Sequence, residues 1–305
     1  MAQPITSSQE GLALPHSVLE RPLAARGQSP LERHSSVLRT RATEGCFVDS
    51  FSTIVTEDCE YRDDKGEILF IFRKGVIPQD LAELAKKTFT KVAKKKNDNR
   101  GMAAGLLPSG KAKAFDKHGI SRGNPVQSNI VGFFDKPDIR HKKMFPGKSV
   151  CRLTAFNAKN TELFDKCVPF FQCIDKVYRE NAPEHYERQA KQAAKCHPGL
   201  IIKETAFSTV TCNYNWRTAC HTDKGDFCEG LGNLTVIGDF EGGVIGFPKY
   251  DVGVDVKSGD VLLMNVHELH GNLPITRGER LSFVCYLREK MHRCVNQVDE
   301  KFFTN

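Results

Sequence analysis

The residues with the clearest chemistry in this chain are His221 and Asp223, which are separated by a single threonine. On an extended chain, residues two positions apart point to the same face, so an imidazole and a carboxylate would be aimed at one point in space. A second histidine from a distant strand would complete a set of two imidazoles and one carboxylate. Such a facial set binds non-haem Fe(II) and leaves positions open for a co-substrate and oxygen. The tripeptide alone also fits a surface histidine beside a solvated aspartate.

The third ligand is predicted to be His270, which lies 49 residues after His221 and follows a Gly-Asp turn and an apolar strand. His267 is the competing candidate. We prefer His270 because Gly271 follows it and because its spacing to Arg280 fits a return on the next strand. Arg280 could hold the far carboxylate of a dicarboxylic acid through a bidentate pair. The order H-x-D…H…R, embedded in strands, is much more specific than the tripeptide.

These residues stand in a stretch that resembles the 2-oxoglutarate/Fe(II) dioxygenases. Within them it is most similar to the TET/JBP group, which oxidises the methyl group of thymine or 5-methylcytosine in nucleic acid. The stretch runs from Phe207 to Glu289, a little over a quarter of the chain. The pattern H-x-D…H…R is shared by the whole superfamily, whereas HTDKGD, GLGN and FEGG narrow the resemblance. The upstream segments NRGMAAG and SNIVGFFD also look like parts of that group, less specifically.

The resemblance implies a full set of site residues. Fe(II) would be held by His221, Asp223 and His270, and the 2-oxoglutarate carboxylate by Arg280. The remaining implied residues are Asp226 and Arg288 as catalytic and base-contacting groups, Ser128 and Asn129 as contacts to the base edge, and Asn213 and Tyr214 beside the co-substrate. Arg288 stands where the group often has a side chain over the base, so its stacking on a base would be of the cation–π kind. One branch of the group uses ascorbate in place of 2-oxoglutarate, and the sequence leaves that choice open.

The function implied by the resemblance is that of an Fe(II)-dependent dioxygenase, an oxidoreductase that uses O2 and, we expect, 2-oxoglutarate. Its substrate would be the methyl group of 5-methylcytosine or thymine in DNA, with RNA as a further candidate partner. A base inside a duplex is unreachable, so the target must be extruded or single-stranded. Two other interpretations stay open: a protein side-chain hydroxylase of the prolyl type, and a non-catalytic jelly-roll that binds nucleic acid. The intact ligand set disfavours the second of these.

Short β-rich runs dominate the chain after Pro198. They are punctuated by Gly, Asp and Pro and span 207–213, 233–238, 243–247, 252–256, 260–265 and 281–286. Several short strands with regular turns indicate a sandwich or barrel. The upstream half predicts strands at 47–51, 67–72 and 128–134, a helix opened by Pro78, and a helix over 161–195 that breaks at Pro183. Together with the resemblance, these elements predict an α+β fold: a double-stranded β-helix (jelly-roll) core flanked by helices.

Composition divides the chain into a tail and one domain. Residues 1–45 are rich in Ser, Pro, Arg and Gln without a sustained period, which predicts a disordered N-terminal tail. Residues 46–305 would form the dioxygenase domain, with helical and loop support over 46–198 and the metal-binding jelly-roll core over 199–290. The Gly- and Lys-rich segment 97–124 is predicted to be mostly loop.

Charge and cysteine usage bear on partners and compartment. The net charge of +7 favours an anionic partner such as nucleic acid. Two cationic clusters could hold its backbone, although lysine runs on helices often only solvate a face: Lys86, Lys87, Lys91, Lys94, Lys95 and Lys96, and Arg140, Lys142, Lys143 and Lys148. Eleven scattered cysteines without a CxxC pair argue against a disulfide framework. We therefore expect reduced thiols, an intracellular protein (nuclear in a eukaryote) and no membrane partner, while the oligomeric state stays open.

Overall fold

The computed structural model describes residues 42–97, 100–105, 126–136, 143 and 151–294. The strands in these ranges are β1 (Thr53–Val55), β2 (Cys59–Arg62), β3 (Ile68–Arg73), β4 (Lys96–Asn97), β5 (Val126–Phe134), β6 (Arg152–Leu153), β7 (Thr209–Tyr214), β8 (Gly232–Ile237), β9 (Phe240–Gly242), β10 (Ile245–Phe247), β11 (Val252–Val254), β12 (Val261–Met264), β13 (Gly271–Asn272), β14 (Ile275–Gly278) and β15 (Leu281–Tyr286). The helices there are α1 (Gln79–Ala93), α2 (Thr161–Lys166), α3 (Val168–Asn181) and α4 (Pro183–Ala193).

The strands form two principal sheets. The large sheet has the order β2-β3-β12-β8-β15-β7-β5-β4, with β6 paired to β5, and the small sheet has the order β1-β11-β10-β13. Strands β9 and β14 pair separately as an antiparallel ribbon. Long connections carry neighbouring strands from distant parts of the chain: β3, for example, lies beside β12 and β7 beside β15. This is the strand arrangement of a double-stranded β-helix, with helices on one side.

The central strands of the large sheet bury both of their faces. On β12, Leu262 and Met264 belong to an apolar cluster shared with the small sheet, which contributes Val252 and Phe247. The alternate residue Leu263 joins a second cluster that also contains the helical residues of α1 and α3. Because successive side chains of a strand point to opposite faces, one strand contributes to both cores. The large sheet is therefore a middle layer between the helices and the small sheet.

Most of the strands predicted from the short apolar runs are present, with small shifts at their ends. The predicted strand at 47–51 is wrong, because residues 46–51 belong to no strand and the hairpin partner of β3 is β2. The predicted helix over 161–195 does break at Pro183, and it breaks again at Cys167, giving α2, α3 and α4. Within the predicted loop, residues 101–104 form one 3-10 turn, while 98–99 and 106–124 lie outside the described residues.

The expectation that all thiols are reduced is wrong for one pair. Cys151 and Cys294 form a disulfide, with a Cα–Cα distance of 5.8 Å across 143 positions of sequence. Pairing depends on how closely two Cα atoms approach in the fold, so spacing along the chain does not reveal it. Nine other cysteines in the described ranges are free.

The tail predicted for residues 1–45 lies outside the described residues as far as position 41. Residues 42–45, by contrast, are packed on the domain: the Gly45 amide donates a hydrogen bond to the Cys220 carbonyl, and Thr222 Oγ1 donates one to the Glu44 carboxylate. The domain thus includes residues before position 46, since a few polar residues that contact a site carry no compositional signal. Among the described helices, none has the length and apolar character that a bilayer crossing requires.

Candidate metal centre and substrate cavity

The strand ends of the jelly-roll bring His221, Asp223 and His270 together. His221 and His270 form an isolated antiparallel bridge, in which each backbone amide donates to the carbonyl of the other, at 2.9 and 3.1 Å. The donor atoms of the three side chains all lie within 4.8 Å of one another. Asp223 Oδ1 is 3.7 Å from His221 Nε2, and Asp223 Oδ2 is 3.9 Å from His270 Nε2. Two imidazoles and a carboxylate at these separations could hold one Fe(II) ion.

Backbone carbonyls fix the orientation of both imidazoles. His221 Nδ1 lies 2.8 Å from the Ala219 carbonyl, and His270 Nδ1 lies 2.9 Å from the Glu268 carbonyl. A carbonyl only accepts, so each Nδ1 carries the proton and each Nε2 keeps its lone pair for a ligand. Burial, and after it the neighbouring His221, lowers the pKa of His270 to about 4. His270 is therefore neutral near pH 7, which is the form that binds a metal.

His267, the competing candidate, lies outside this set. Its amide is bound to the side chain of Asn265, and its Nε2 lies 3.4 Å from the Phe227 carbonyl. The backbone bridge with His221 is made by His270, so His270 and not His267 is held beside the other two ligands.

The three side chains line a cavity of about 510 Å³ whose wall also includes Arg280. The Arg280 side chain is only 5% exposed, and its Nε has no hydrogen-bond partner among the described residues. Burial lowers the pKa of Arg280 to about 10, although Asp255 acts in the opposite direction. Gly243 lies against the Arg280 side chain. A Cβ built on Gly243 would lie 3.2 Å from Arg280 Nε. A buried, unpaired guanidinium at the cavity wall fits the carboxylate of a dicarboxylic co-substrate.

Asp226 and Arg288 also line the cavity, and they contact each other. Arg288 Nη1 donates to Asp226 Oδ1 at 3.3 Å. Burial, and after it the charge of Asp223, raises the pKa of Asp226 well above its ordinary value. Burial would lower the pKa of Arg288, but Asp135 and the other acidic neighbours more than offset this, so the pKa is raised.

Asn213 lies at the cavity and Tyr214 does not. Asn213 Oδ1 accepts from Ser128 Oγ, and its Nδ2 donates to Ser282 Oγ. Adjacent residues of a strand face opposite sides, so Tyr214 points away, where its hydroxyl donates to Glu279. The expectation that Tyr214 lies beside the co-substrate is therefore not supported by its position.

Neither Ser128 nor Asn129 lines the cavity. Ser128 is fully buried behind Asn213. Asn129 faces the helical layer, where its Nδ2 donates to the Val92 and Lys95 carbonyls at the end of α1. Both side chains form hydrogen bonds inside the protein. The predicted contact of either one with a base edge is not supported by its placement.

Several lining residues were missed by the sequence reasoning. Arg100 reaches the cavity, where its Nη2 is buried without a hydrogen-bond partner in the described residues, and burial lowers its pKa. Tyr286 and Glu44 line it as well. Tyr286 could have been found, because it shares the alternation of Arg280 and Arg288 along β15 and beyond. Arg100 stands in NRGMAAG, a segment that resembles the TET/JBP group, so this resemblance could have pointed to it. Glu44 comes from a segment without strand periodicity, so only the tertiary structure reveals it.

A jelly-roll whose strand ends bring two histidines, one aspartate and a buried arginine to one cavity defines the class of 2-oxoglutarate/Fe(II) dioxygenases. The comparisons with known proteins agree. A family model described as the oxygenase domain of the 2OGFeDO superfamily, Tet_JBP, matches residues 137–289. The chain belongs to this family, and the superfamily implies Fe(II), 2-oxoglutarate and O2.

Relatives of known name are similar over most of this chain. The bifunctional helicase and thymine dioxygenase JBP2 of Leishmania tarentolae is 34% identical over 262 residues, covering 83% of this chain and 21% of that protein. The thymine dioxygenase JBP1 of Crithidia fasciculata is 28% identical over 255 residues, covering 80% of this chain and 28% of that protein. The chain thus spans between about a fifth and three tenths of their length.

A solved structure also has this fold. NgTET1 in complex with 5mC DNA matches with a TM-score of 0.52 and 15% identity, covering 80% of this chain and 85% of that one. At this identity the likeness is evidence for the fold.

Proposed function

We propose that this chain oxidises the methyl group of a pyrimidine base, 5-methylcytosine or thymine, in DNA. The observation that carries the proposal is the convergence of His221, Asp223 and His270 on one cavity wall with the buried, unpaired guanidinium of Arg280. The names of the relatives, thymine dioxygenases, and the 5mC DNA bound to the structural neighbour support a methylated base as the substrate.

In this proposal His221, Asp223 and His270 hold Fe(II), and Arg280 binds 2-oxoglutarate through its far carboxylate. When bound, iron with 2-oxoglutarate and O2 supplies the oxidising power that breaks a methyl C–H bond. The protein contributes orientation. The two Nδ1–H donors lock the imidazoles, and the low exposure of His270 and Arg280, at 4% and 5%, keeps water from their inner side.

Asp226 and Arg288 are proposed to contact the extruded base. Both line the cavity, and both side chains are mostly buried, at 8% and 12% exposure. Arg288 supplies only donors, which suit the carbonyl oxygens of a pyrimidine, and Asp226 lies beside it to bind the rest of the polar edge. A base reaches these groups only after it leaves the helical stack.

Arg280 and Arg100 favour 2-oxoglutarate over ascorbate as the co-substrate. The dianion of a dicarboxylic acid can neutralise both buried guanidinium groups, whereas ascorbate brings one negative charge near pH 7. Both cations have a nitrogen without a hydrogen-bond partner in the described residues. RNA as a substrate and ascorbate as the co-substrate are the alternatives, and the nucleoside assay described next distinguishes them.

The proposal is tested by mass spectrometry of nucleosides after incubation with methylated DNA or RNA, with 2-oxoglutarate and ascorbate supplied separately. We expect oxidised base only with Fe(II), O2, DNA and 2-oxoglutarate. His221→Ala should give no detectable product while its DNA affinity stays nearly unchanged. His267→Ala is the matched control, since this nearby histidine lies outside the metal set, and it should retain activity. Product from His221→Ala would contradict the metal assignment, and no oxidised base from the parent would contradict the substrate.

The domain division is proposed on the same basis. The dioxygenase domain predicted over 46–305 is extended to include residues 42–45, because Glu44 and Gly45 contact it. Its support reaches residue 198, its metal-binding core spans 199–290, and the tail precedes residue 42. A DNA substrate places the protein inside the cell, and in the nucleus of a eukaryote. Limited proteolysis should cut the chain before residue 42 and leave a product that still binds Fe(II), whereas protection of the tail would contradict the division.

A further inference from the structure

The guanidinium of Arg288 lies between two carboxylates that come from different parts of the chain. Its Nε donates to Asp135 Oδ1 at 3.1 Å, and its Nη1 donates to Asp226 Oδ1 at 3.3 Å. The Asp135 side chain is 2% exposed and that of Arg288 is 12% exposed. Asp135 directly follows the last residue of β5 and does not line the cavity, so it contacts Arg288 from behind.

Two further groups restrict the same guanidinium. Its Cζ lies 5.0 Å from the centre of the Phe134 ring. On another side, a Cβ built on Gly225 would overlap Nη1, Nη2 and Cζ of Arg288, so the guanidinium rests directly on the backbone of a residue without a side chain. The backbone is tied at the same place, because the Glu289 amide donates to the Gly225 carbonyl.

This arrangement leaves one part of the guanidinium for a ligand. Nε and Nη1 are committed to Asp135 and Asp226, while none of the described residues forms a hydrogen bond with Nη2. Arg288 lines the cavity, so Nη2 remains as the donor that a ligand can use. An arginine side chain has many rotamers, and holding its planar fork in advance removes the entropy that it would otherwise lose on binding.

We propose that Asp135 and Gly225 are positioning residues that hold the Arg288 guanidinium in one orientation for the target base. Asp135 acts through its carboxylate on Nε, and Gly225 acts by leaving the space that the guanidinium occupies. The proposal rests on the proposed function for the role of Arg288 toward the base, but the held geometry itself is a property of the protein alone. Both residues thereby decide how well the methyl group is aligned for oxidation.

The first test compares Asp135→Asn, Gly225→Ala and Arg288→Ala, singly and in pairs. The readouts are the KM for methylated DNA and the coupling ratio, which is oxidised base formed per succinate released. We expect Asp135→Asn and Gly225→Ala each to raise KM or lower coupling by roughly tenfold to a hundredfold. Neither should have a further effect in the Arg288→Ala background. Fully multiplicative effects in the double variants would show that they act independently of Arg288 and would overturn the proposal.

Matched controls separate positioning from general damage. Asp175→Asn removes another buried carboxylate, 3% exposed, that is bound to Tyr186 and the Ala206 amide in the helical layer. Gly66→Ala adds a methyl group where no atom lies within 4 Å but φ is +83°, so it adds backbone strain far from the cavity without steric overlap. Both should keep the parental coupling ratio. Anaerobic titration with Fe(II) and 2-oxoglutarate should give parental binding in Asp135→Asn and Gly225→Ala, and loss of Fe(II) binding in Gly225→Ala would assign its effect to the metal site instead.

The second test needs no activity. A buried Nε–H bound to a carboxylate should give a slowly exchanging arginine Nε–H signal by NMR, assigned by its loss in Arg288→Lys. We expect Gly225→Ala to shift this signal and to speed its exchange. Rapid exchange in the parent would overturn the held geometry whatever the enzyme does. A parent that oxidises no base but keeps the protected signal would refute the proposed function alone. This arm also stands should Asp135→Asn fail to fold.

Discussion

Replacement of Arg280 by leucine should have opposite effects on co-substrate binding and on the stability of the ligand-free protein. In the absence of a co-substrate the guanidinium is buried and its Nε is unpaired among the described residues. Burial lowers its pKa to about 10, and the gap from the ordinary value corresponds to about 3 kcal/mol of unfavourable free energy. Because the charged form is the one that burial penalises, removing the charge should stabilise the free protein by up to ~3 kcal/mol.

The co-substrate should reverse this ranking. One charge-assisted hydrogen bond contributes about 1.5–3 kcal/mol, and a bidentate contact between Arg280 and one carboxylate has two of them. Losing both bonds should weaken 2-oxoglutarate binding roughly a hundredfold or more. The assay is thermal unfolding under anaerobic conditions, with and without Fe(II) and 2-oxoglutarate, beside the KM for 2-oxoglutarate. Arg280→Leu should melt above the parent when both are free, by ~2–4 °C per kcal/mol, and should gain little when 2-oxoglutarate is added.

Arg277→Leu is the matched control for this experiment. Arg277 lies three residues away on β14 with its side chain 72% exposed, and its ion pair with Glu241 is on the surface. Exposed pairs contribute little, so neither readout should change. An unchanged KM for 2-oxoglutarate in Arg280→Leu, or a free variant less stable than the parent, would refute the reasoning that this cation is held without a partner for a carboxylate.

Three other predictions concern the disulfide, a second buried arginine and the aromatic core. Reduction of the Cys151–Cys294 bridge, or Cys151→Ser, should destabilise the fold by about 2–4 kcal/mol, measured by chemical unfolding with and without a reductant, and equal midpoints would contradict the bridge. Arg100→Met should raise the KM for 2-oxoglutarate about tenfold without weakening Fe(II) binding, because its buried Nη2 lacks a protein partner, and an unchanged KM would exclude it from co-substrate binding. Phe283→Ala should cost about 3–5 kcal/mol of unfolding free energy, since the ring is fully buried against Phe89 and Phe170, and a loss below ~1 kcal/mol would contradict that packing.

The local sequence pattern predicted most of the strands and helices. Short apolar runs at 260–265 and 281–286 predicted β12 and β15, because such runs bounded by turn residues are typical of buried strands. The segment at 47–51 shows where this fails: an apolar run becomes a strand only if another strand supplies backbone partners, and here the pairing with β3 is taken by β2. Both helix breaks have a proline in the sequence: Pro183 opens α4, and Pro169 lies in the first turn of α3, two residues after Cys167, although only the break at Pro183 was predicted.

Adjacent residues of one motif do not point to the same side of a strand. Asn213 and Tyr214 were grouped together, yet the alternation of β7 sends the first to the cavity and the second to the surface beside Lys94. Ser128 and Asn129 also face opposite sides of β5, although neither of them lines the cavity. A resemblance assigns a segment to a site, and the period of the strand then decides which of its side chains can reach it.

The sequence by itself predicted the chemistry of the metal set, since the residue types and the order of His221, Asp223, His270 and Arg280 are those of a two-histidine, one-carboxylate site with a cation for the co-substrate. It also favoured His270 over His267, which agrees with the structure. Only the tertiary structure decided which buried cations lack a partner among the described residues, and that Asp135 and Gly225 hold Arg288. The physical reason is that these contacts join residues far apart in the chain, and their geometry depends on how the two sheets and the helices pack. Spacing along the chain encodes direction and periodicity, while distance between segments exists only once the chain is folded.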